Sequence, residues 1–218
     1  MTYPTAEEYA SPARVRLARS TRGLVAAVVS SVTASDVALD AAADATDAAR
    51  RALTDITRDR LAASAERTHG DYLPRSPLVG IGSPLAPPFD YELGDEHLVA
   101  RGTFGAAYEG PPGYVHGGWV ALAFDEALGM ANVASGHPGL TGRLTIRYRR
   151  PTPLHTTLTL EAHTAAVDGR RITTVGTLRA GAQVTAEAEG LFVTIGEERA
   201  LEYFGERPST PEPTDPLP

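Results

Sequence analysis

Hydrophobic and polar positions along this chain follow two periods, and the change between them divides it. Over residues 12–67 the period is helical. Leu17, Thr21, Leu24, Val25, Val28, Val29 and Val32 fall on one face, and Pro12 suits a first helical turn. A second helix starts at Ser35 or Asp36, both N-cap types, and runs through "DVALDAAADATDAARRALTDITRDRLAA". Val37, Ala41, Ala45, Ala48, Ala49, Ala52, Leu53 and Ile56 make a small-residue stripe fit for close packing on another helix, the main domain or a second subunit. Residues 70–90 are a Pro/Gly-rich loop, either a lid or a plain linker.

From Phe89 onward the period is two. "DYELGDEHLVARGTF" reads as a hairpin with its turn near Gly94-Asp95. An apolar helix over 116–134 follows, then four strand-like runs, "TGRLTIRYRRP", "TTLTLEAHTAAV", "RRITTVGTLRA" and "AQVTAEAEGLFVTI". Asp168-Gly169 and Ala180-Gly181 supply tight turns, so these strands are expected to be largely antiparallel. Pro151 and Pro153 close the strand that follows the helix. The order β-β-α-β-β-β-β is an α+β layout: one helix on a strongly bent antiparallel sheet. The implied organisation is an N-terminal helical extension over 1–69, the loop over 70–90, a main domain over 91–196, and a tail over 197–218 that is polar, Pro-rich and expected to be disordered after about 205.

Composition removes several chemistries. The net charge of −7 argues against a nucleic-acid-binding surface. There is no cysteine, hence no disulfide, thiolate nucleophile or Cys-ligated zinc. All 20 basic residues are arginine, so there is no Schiff-base lysine. No apolar run reaches the ~18 residues that would span a bilayer, so no membrane partner is expected. Arg14, Arg16, Arg19 and Arg22 before "LVAAVVSSVTA" loosely imitate a signal peptide. Glu7, Glu8, the interrupting Ser30, Ser31 and Thr33, and the helical period instead favour an amphipathic helix in a cytoplasmic protein.

The candidate chemistry lies in "YEGPPGYVHGGWVALAFDEALG", residues 108–129. Gly110, Pro111, Pro112 and Gly113 force a turn, and Gly117 and Gly118 begin the helix after His116. Glycines let backbone N–H groups approach a ligand closely. A helix N-terminus presents unpaired donors and the positive end of its dipole, suited to polarising a carbonyl and holding an oxyanion. Asp125 and Glu126 then interrupt an apolar run, Trp119 to Met130. Two acids in a buried helix cost several kcal/mol unless they are paired or line a polar cavity; the alternative is an exposed stripe on a half-buried helix. Glu126 points about 100° away from Asp125. His69, His97, His137, His155 and His163 have no metal-ligand spacing with acids, and neither a metal nor a cofactor is expected.

With "LTGRLTIRYRRPTPL" downstream and "SPLAPPF" upstream, this stretch closely resembles the hotdog-fold acyl-CoA thioesterases of the PaaI and THEM4-like type, over about residues 85–195. The resemblance rests on His-Gly-Gly at the helix start, an acid nine residues after the histidine (Asp125), and a hydroxyl residue at the next strand (Thr141). It implies a hotdog fold and acyl-CoA hydrolysis. The thioester carbonyl would lie against the Gly117 N–H, helped by Gly118 or His116. Asp125 of the other subunit would be general base or nucleophile, with Thr141 placing the water or the carboxylate. His116 either contacts substrate or shapes the glycine turn. Arg147, Arg149 and Arg150 receive CoA phosphates or form a solvated strand end. Trp119 walls an acyl pocket or packs in the core. Some members carry Asn in the turn before the histidine, where this chain has Gly110. The resemblance also implies a homodimer or homotetramer, since the sheet continues between subunits. Two other readings are a hotdog dehydratase, whose Asp-x-Asn-x-x-His motif is absent, and a non-catalytic acyl-CoA sensor or scaffold.

Overall fold

A computed structural model describes residues 11–61, 76–80, 82–94 and 97–194, with the side chains of 54–61 excluded. The expected disordered tail, the Gly94-Asp95 turn beyond Gly94, Ile56 of the small-residue stripe, and His69 lie outside them.

Helix α1 runs Pro12–Ser30, with Pro12 in its first turn and the Ser11 hydroxyl accepting from the Arg14 N–H. Helix α2 runs Asp36–Leu61, and its Ser35 hydroxyl accepts from the Ala38 N–H. The helical period names the right elements, but the face that α1 buries is not the apolar one. Ala18 is its buried residue and Arg22 donates to the Ser83 carbonyl, whereas Leu17, Val25, Val28 and Val29 stay exposed. Every α2 side chain described is exposed.

The strands are β1 (Phe89–Leu93), β2 (His97–Gly102), β3 (Leu140–Tyr148), β4 (Leu158–Asp168), β5 (Arg171–Ala180) and β6 (Gln183–Val193). They form one antiparallel sheet in the order β1-β2-β4-β5-β6-β3. Helix α3 (Gly117–Ala134) packs against β2 to β6, the hotdog arrangement of a sheet around one helix. The expectation that short turns link all the strands after the helix holds for β4-β5 and β5-β6 only. The β3–β4 connection passes β6 and β5, leaving β3 at the far edge. Residues 151–155 are pinned instead to the loop before α3: the Val115 N–H donates to Thr152, the Leu154 N–H to Gly113 and the His155 N–H to Phe104. Prolines 151 and 153 cannot donate to a ladder, which suits a segment leaving the sheet.

Both expected hairpin turns sit one residue later than the sequence suggests. Asp168 pairs with Arg171 and Ala180 with Gln183, so the loops are Gly169-Arg170 and Gly181-Ala182. Each glycine takes the first loop position with φ near +57°, where a side chain would be strained.

The core lies between α3 and the inner sheet face. Phe124, Leu128, Leu158, Leu178 and Ile172 are fully buried and Phe192 nearly so. Burying each such side chain contributes roughly 2–3 kcal/mol. An aromatic series continues from it: Phe89 on Phe104, Phe104 on Tyr108, Tyr108 on Trp119. The described part of the 70–90 loop is fastened to the domain rather than poised above it. Ser76 is fully buried with its hydroxyl capping the Leu78 and Val79 N–H groups, and the Tyr91 and Tyr108 hydroxyls donate to the carbonyls of Leu78 and Leu85.

Candidate active site

The turn before α3 is set by close backbone contact. A Cβ at Gly110 would lie 2.7 Å from the His116 Cα, which ties this chain's glycine there to the path of the loop. His116 is the N-cap of α3, and its Nδ1 accepts from the Gly118 N–H at 3.0 Å. That contact corrects one expectation. The Gly118 N–H is committed to the histidine and is not free to assist at a carbonyl. The Gly117 N–H has no hydrogen-bond partner among the described residues, as expected for a first helical residue. His116 and Gly118 are exposed and Gly117 is half-buried, so this donor lies at the surface of the monomer.

Helix α3 is not buried all round. Val120, Phe124, Ala127, Leu128 and Ala131 face the sheet, while Leu122 is 44% exposed and Asp125 only half-buried on the opposite side. The Thr141 hydroxyl donates to Asp125 Oδ1 at 2.9 Å. Thr141 reaches it because β3 carries a bulge: Thr141 pairs with Phe192 but Arg143 with Leu191, so Gly142 is unpaired. Cross-strand partners share a face. The bulge thus puts Thr141 on the helix side together with Leu144, Ile146 and Tyr148, which pair with Gly190, Ala188 and Ala186. Strict alternation would have turned it outward with Arg143.

Glu126 diverges from Asp125, and both are half-buried. The Glu126 carboxyl is pushed above the usual carboxylate range, by burial first and by the neighbouring charge of Asp125 second. Tyr91 lies in the same region; burial raises its hydroxyl above the ordinary phenol range, and the Glu126 charge adds to this.

The remaining expected residues divide. Trp119 packs edge-on against Tyr108 at 4.9 Å and belongs to the aromatic series. Arg147, Arg149 and Arg150 are all exposed. Arg149 is tied to Glu187, with Nε and Nη2 both 2.6 Å from one carboxylate oxygen. No ion pair holds Arg147 or Arg150 among the described residues. Arg149 and Arg150 border an open groove with Gln183, Val184 and Glu187.

One residue that spacing did not single out touches the helix start, and another is a buried polar group further along α3. The Tyr148 hydroxyl donates to the Gly117 carbonyl at 2.8 Å. Asn132, fully buried on α3, accepts from the Thr164 and Thr174 hydroxyls, while its Nδ2 has no partner among the described residues. Tyr148 lies within the stretch "LTGRLTIRYRRPTPL"; nothing in the helical pattern distinguishes Asn132.

Comparison with known proteins bears on the fold and the family. The profile described as the thioesterase superfamily matches residues 112–187. A solved crystal structure of a thioesterase superfamily protein is 34% identical, covers 89% of this chain and 95% of its own, and superposes with a TM-score of 0.70. Among curated proteins, acyl-coenzyme A thioesterase THEM4 of Xenopus laevis is 28% identical over 107 residues, 48% of each chain. The Bos taurus protein of that name is 31% identical over 98 residues, 44% of this chain and 40% of its own. The chain spans about half the length of the curated relatives it matches.

Proposed function

The chain belongs to the thioesterase superfamily, and on that premise we propose that it hydrolyses acyl-CoA thioesters to a free acid and CoA. The observation that carries this reading is Asp125, a half-buried carboxylate on an open helix face, aimed by Thr141. The unpartnered Gly117 N–H at the positive end of the same helix supplies the complementary group, a donor for a developing oxyanion.

One chain does not hold both groups within reach of one thioester. Gly117 and Asp125 are eight residues apart on α3, about 12 Å along the axis at 1.5 Å per residue. Edge strand β3, paired only with β6, and the exposed Leu122 beside Asp125 offer a surface for a second copy. In the proposed site the Gly117 N–H polarises the carbonyl and the partner subunit's Asp125 takes a proton from water as it attacks. The tetrahedral intermediate expels the CoA thiolate, which recovers that proton. Attack by the carboxylate itself, with hydrolysis of the resulting anhydride, gives the same products. Arg147 and Arg150, without an ion pair among the described residues, receive CoA phosphates in this reading.

CoA release from a panel of acyl-CoAs tests this. Turnover by the native chain that disappears in Asp125→Asn supports the reading. Saturable binding without turnover on any acyl-CoA would sink it in favour of an acyl-CoA sensor.

A further inference from the structure

Tyr148 stands at the end of β3, on the helix-facing side of the strand. Its hydroxyl donates to the Gly117 carbonyl at 2.8 Å. Its ring lies against the same residue: a Cβ at Gly117 would be 3.4 Å from the hydroxyl and 3.5 Å from two ring carbons.

The Gly117 carbonyl and the Gly118 N–H belong to one planar peptide unit. Tyr148 holds its oxygen and His116 Nδ1 holds its hydrogen, at 2.8 and 3.0 Å. The preceding peptide, which carries the Gly117 N–H, is held through the His116 carbonyl by the Trp119 N–H at 2.9 Å. Two successive glycines have wide backbone freedom, so contacts on both of their peptides narrow the directions the Gly117 donor can take. Oxyanion stabilisation depends on donors fixed before the reaction begins. The grip has a second effect. A histidine nitrogen that accepts from an N–H carries no proton, so the imidazole is held with its hydrogen on Nε2.

We propose that Tyr148 is a positioning residue: through the Gly117–Gly118 peptide it fixes the Gly117 N–H donor and the tautomer of His116. The inference rests on the reading in which the Gly117 N–H polarises the thioester carbonyl. Tyr148 touches no reacting atom in it.

The test is Tyr148→Phe in the full chain, which keeps the ring against Gly117 and removes only the hydroxyl. Tyr148 is 55% exposed, so loss of one hydroxyl leaves folding intact. The expected result is a kcat lower by about tenfold with KM within about twofold, as for an interaction that matters chiefly in the transition state. The 15N signals of the His116 ring move from the Nε2–H tautomer toward a mixture, and the Gly118 amide exchanges at least about fivefold faster. Combining the change with His116→Ala lowers kcat little beyond the worse single variant, because both act on one peptide. Unchanged kcat with unchanged ring signals, or independent multiplicative losses in the double variant, would overturn the proposal. If the native chain turns over no acyl-CoA, the reaction reading fails on its own account. Gly118 exchange then decides the clamp: faster in Tyr148→Phe upholds it, equal rates overturn it.

Discussion

The Thr141 hydroxyl meets Asp125 Oδ1 at 2.9 Å, and a single unpaired glycine makes this possible. The contact aims one carboxylate oxygen and leaves the other for water. Substituting Asp125 by Asn removes the proton acceptor while keeping the shape. Hydrolysis is expected to fall by about 10²–10⁴-fold with the fold unchanged. Thr141→Val removes only the aim, and a loss near tenfold is expected. CoA release under saturating substrate measures both. An Asp125→Asn protein of native activity would strip Asp125 of its role.

Deletion of Gly142 isolates the bulge. Without it Thr141 becomes the immediate neighbour of Arg143 and keeps its place opposite Phe192 on the helix side, while the register from Arg143 onward stays as it is. The shortened protein should keep its sheet by circular dichroism and stay within a few-fold of native activity, above Thr141→Val. A deletion variant no more active than Thr141→Val would show that pairing with Phe192 does not by itself set the Thr141–Asp125 contact.

Removal of residues 1–68 tests how far the helical extension supports the domain. Among the described residues, α1 meets the rest of the chain through buried Ala18 and the Arg22–Ser83 hydrogen bond, whereas α3 and the sheet share the large core. The truncated chain is expected to keep its strand signal and to melt only a few degrees lower. Failure to fold would mean that the extension belongs to the core.

The sequence made α3 and its histidine-glycine start legible, because these follow from periodicity and turn chemistry; the Asp125–Thr141 pairing was implied by the family resemblance. It was less informative wherever the answer depends on what lies across a surface. Periodicity groups Leu17, Val28 and Val32 on one face but does not say whether that face is covered, and all three are exposed. Short turns identify β4, β5 and β6 as neighbours. They carry no information on β3, whose place beside β6 is a long-range pairing. Tyr148 reads as one aromatic in a basic strand end until the fold brings its hydroxyl to Gly117, 31 residues away. The Glu126 burial likewise arises from packing around the helix.

That burial gives Glu126 a pH signature of its own. Its folded-state pKa is raised above the ordinary value of 4.5, by desolvation first and by Asp125 second. Below 4.5 the folded and unfolded states both hold the proton, and the burial costs little. As pH rises from 4.5 toward the raised value, the unfolded chain releases its proton first, so stability falls; above the raised value the loss is complete and constant. Glu126→Gln puts a neutral group of similar shape in the same place. The variant should lose less stability than the native chain between pH 5 and pH 8 in urea unfolding, and at pH 8 it should be the more stable of the two. Its hydrolytic activity should stay within a few-fold of native, since Glu126 diverges from the Asp125–Thr141 pair. An equal pH dependence in the two proteins would show that Glu126 ionises as freely in the folded chain as in the unfolded one, and a loss of activity matching Asp125→Asn would move the catalytic assignment to Glu126.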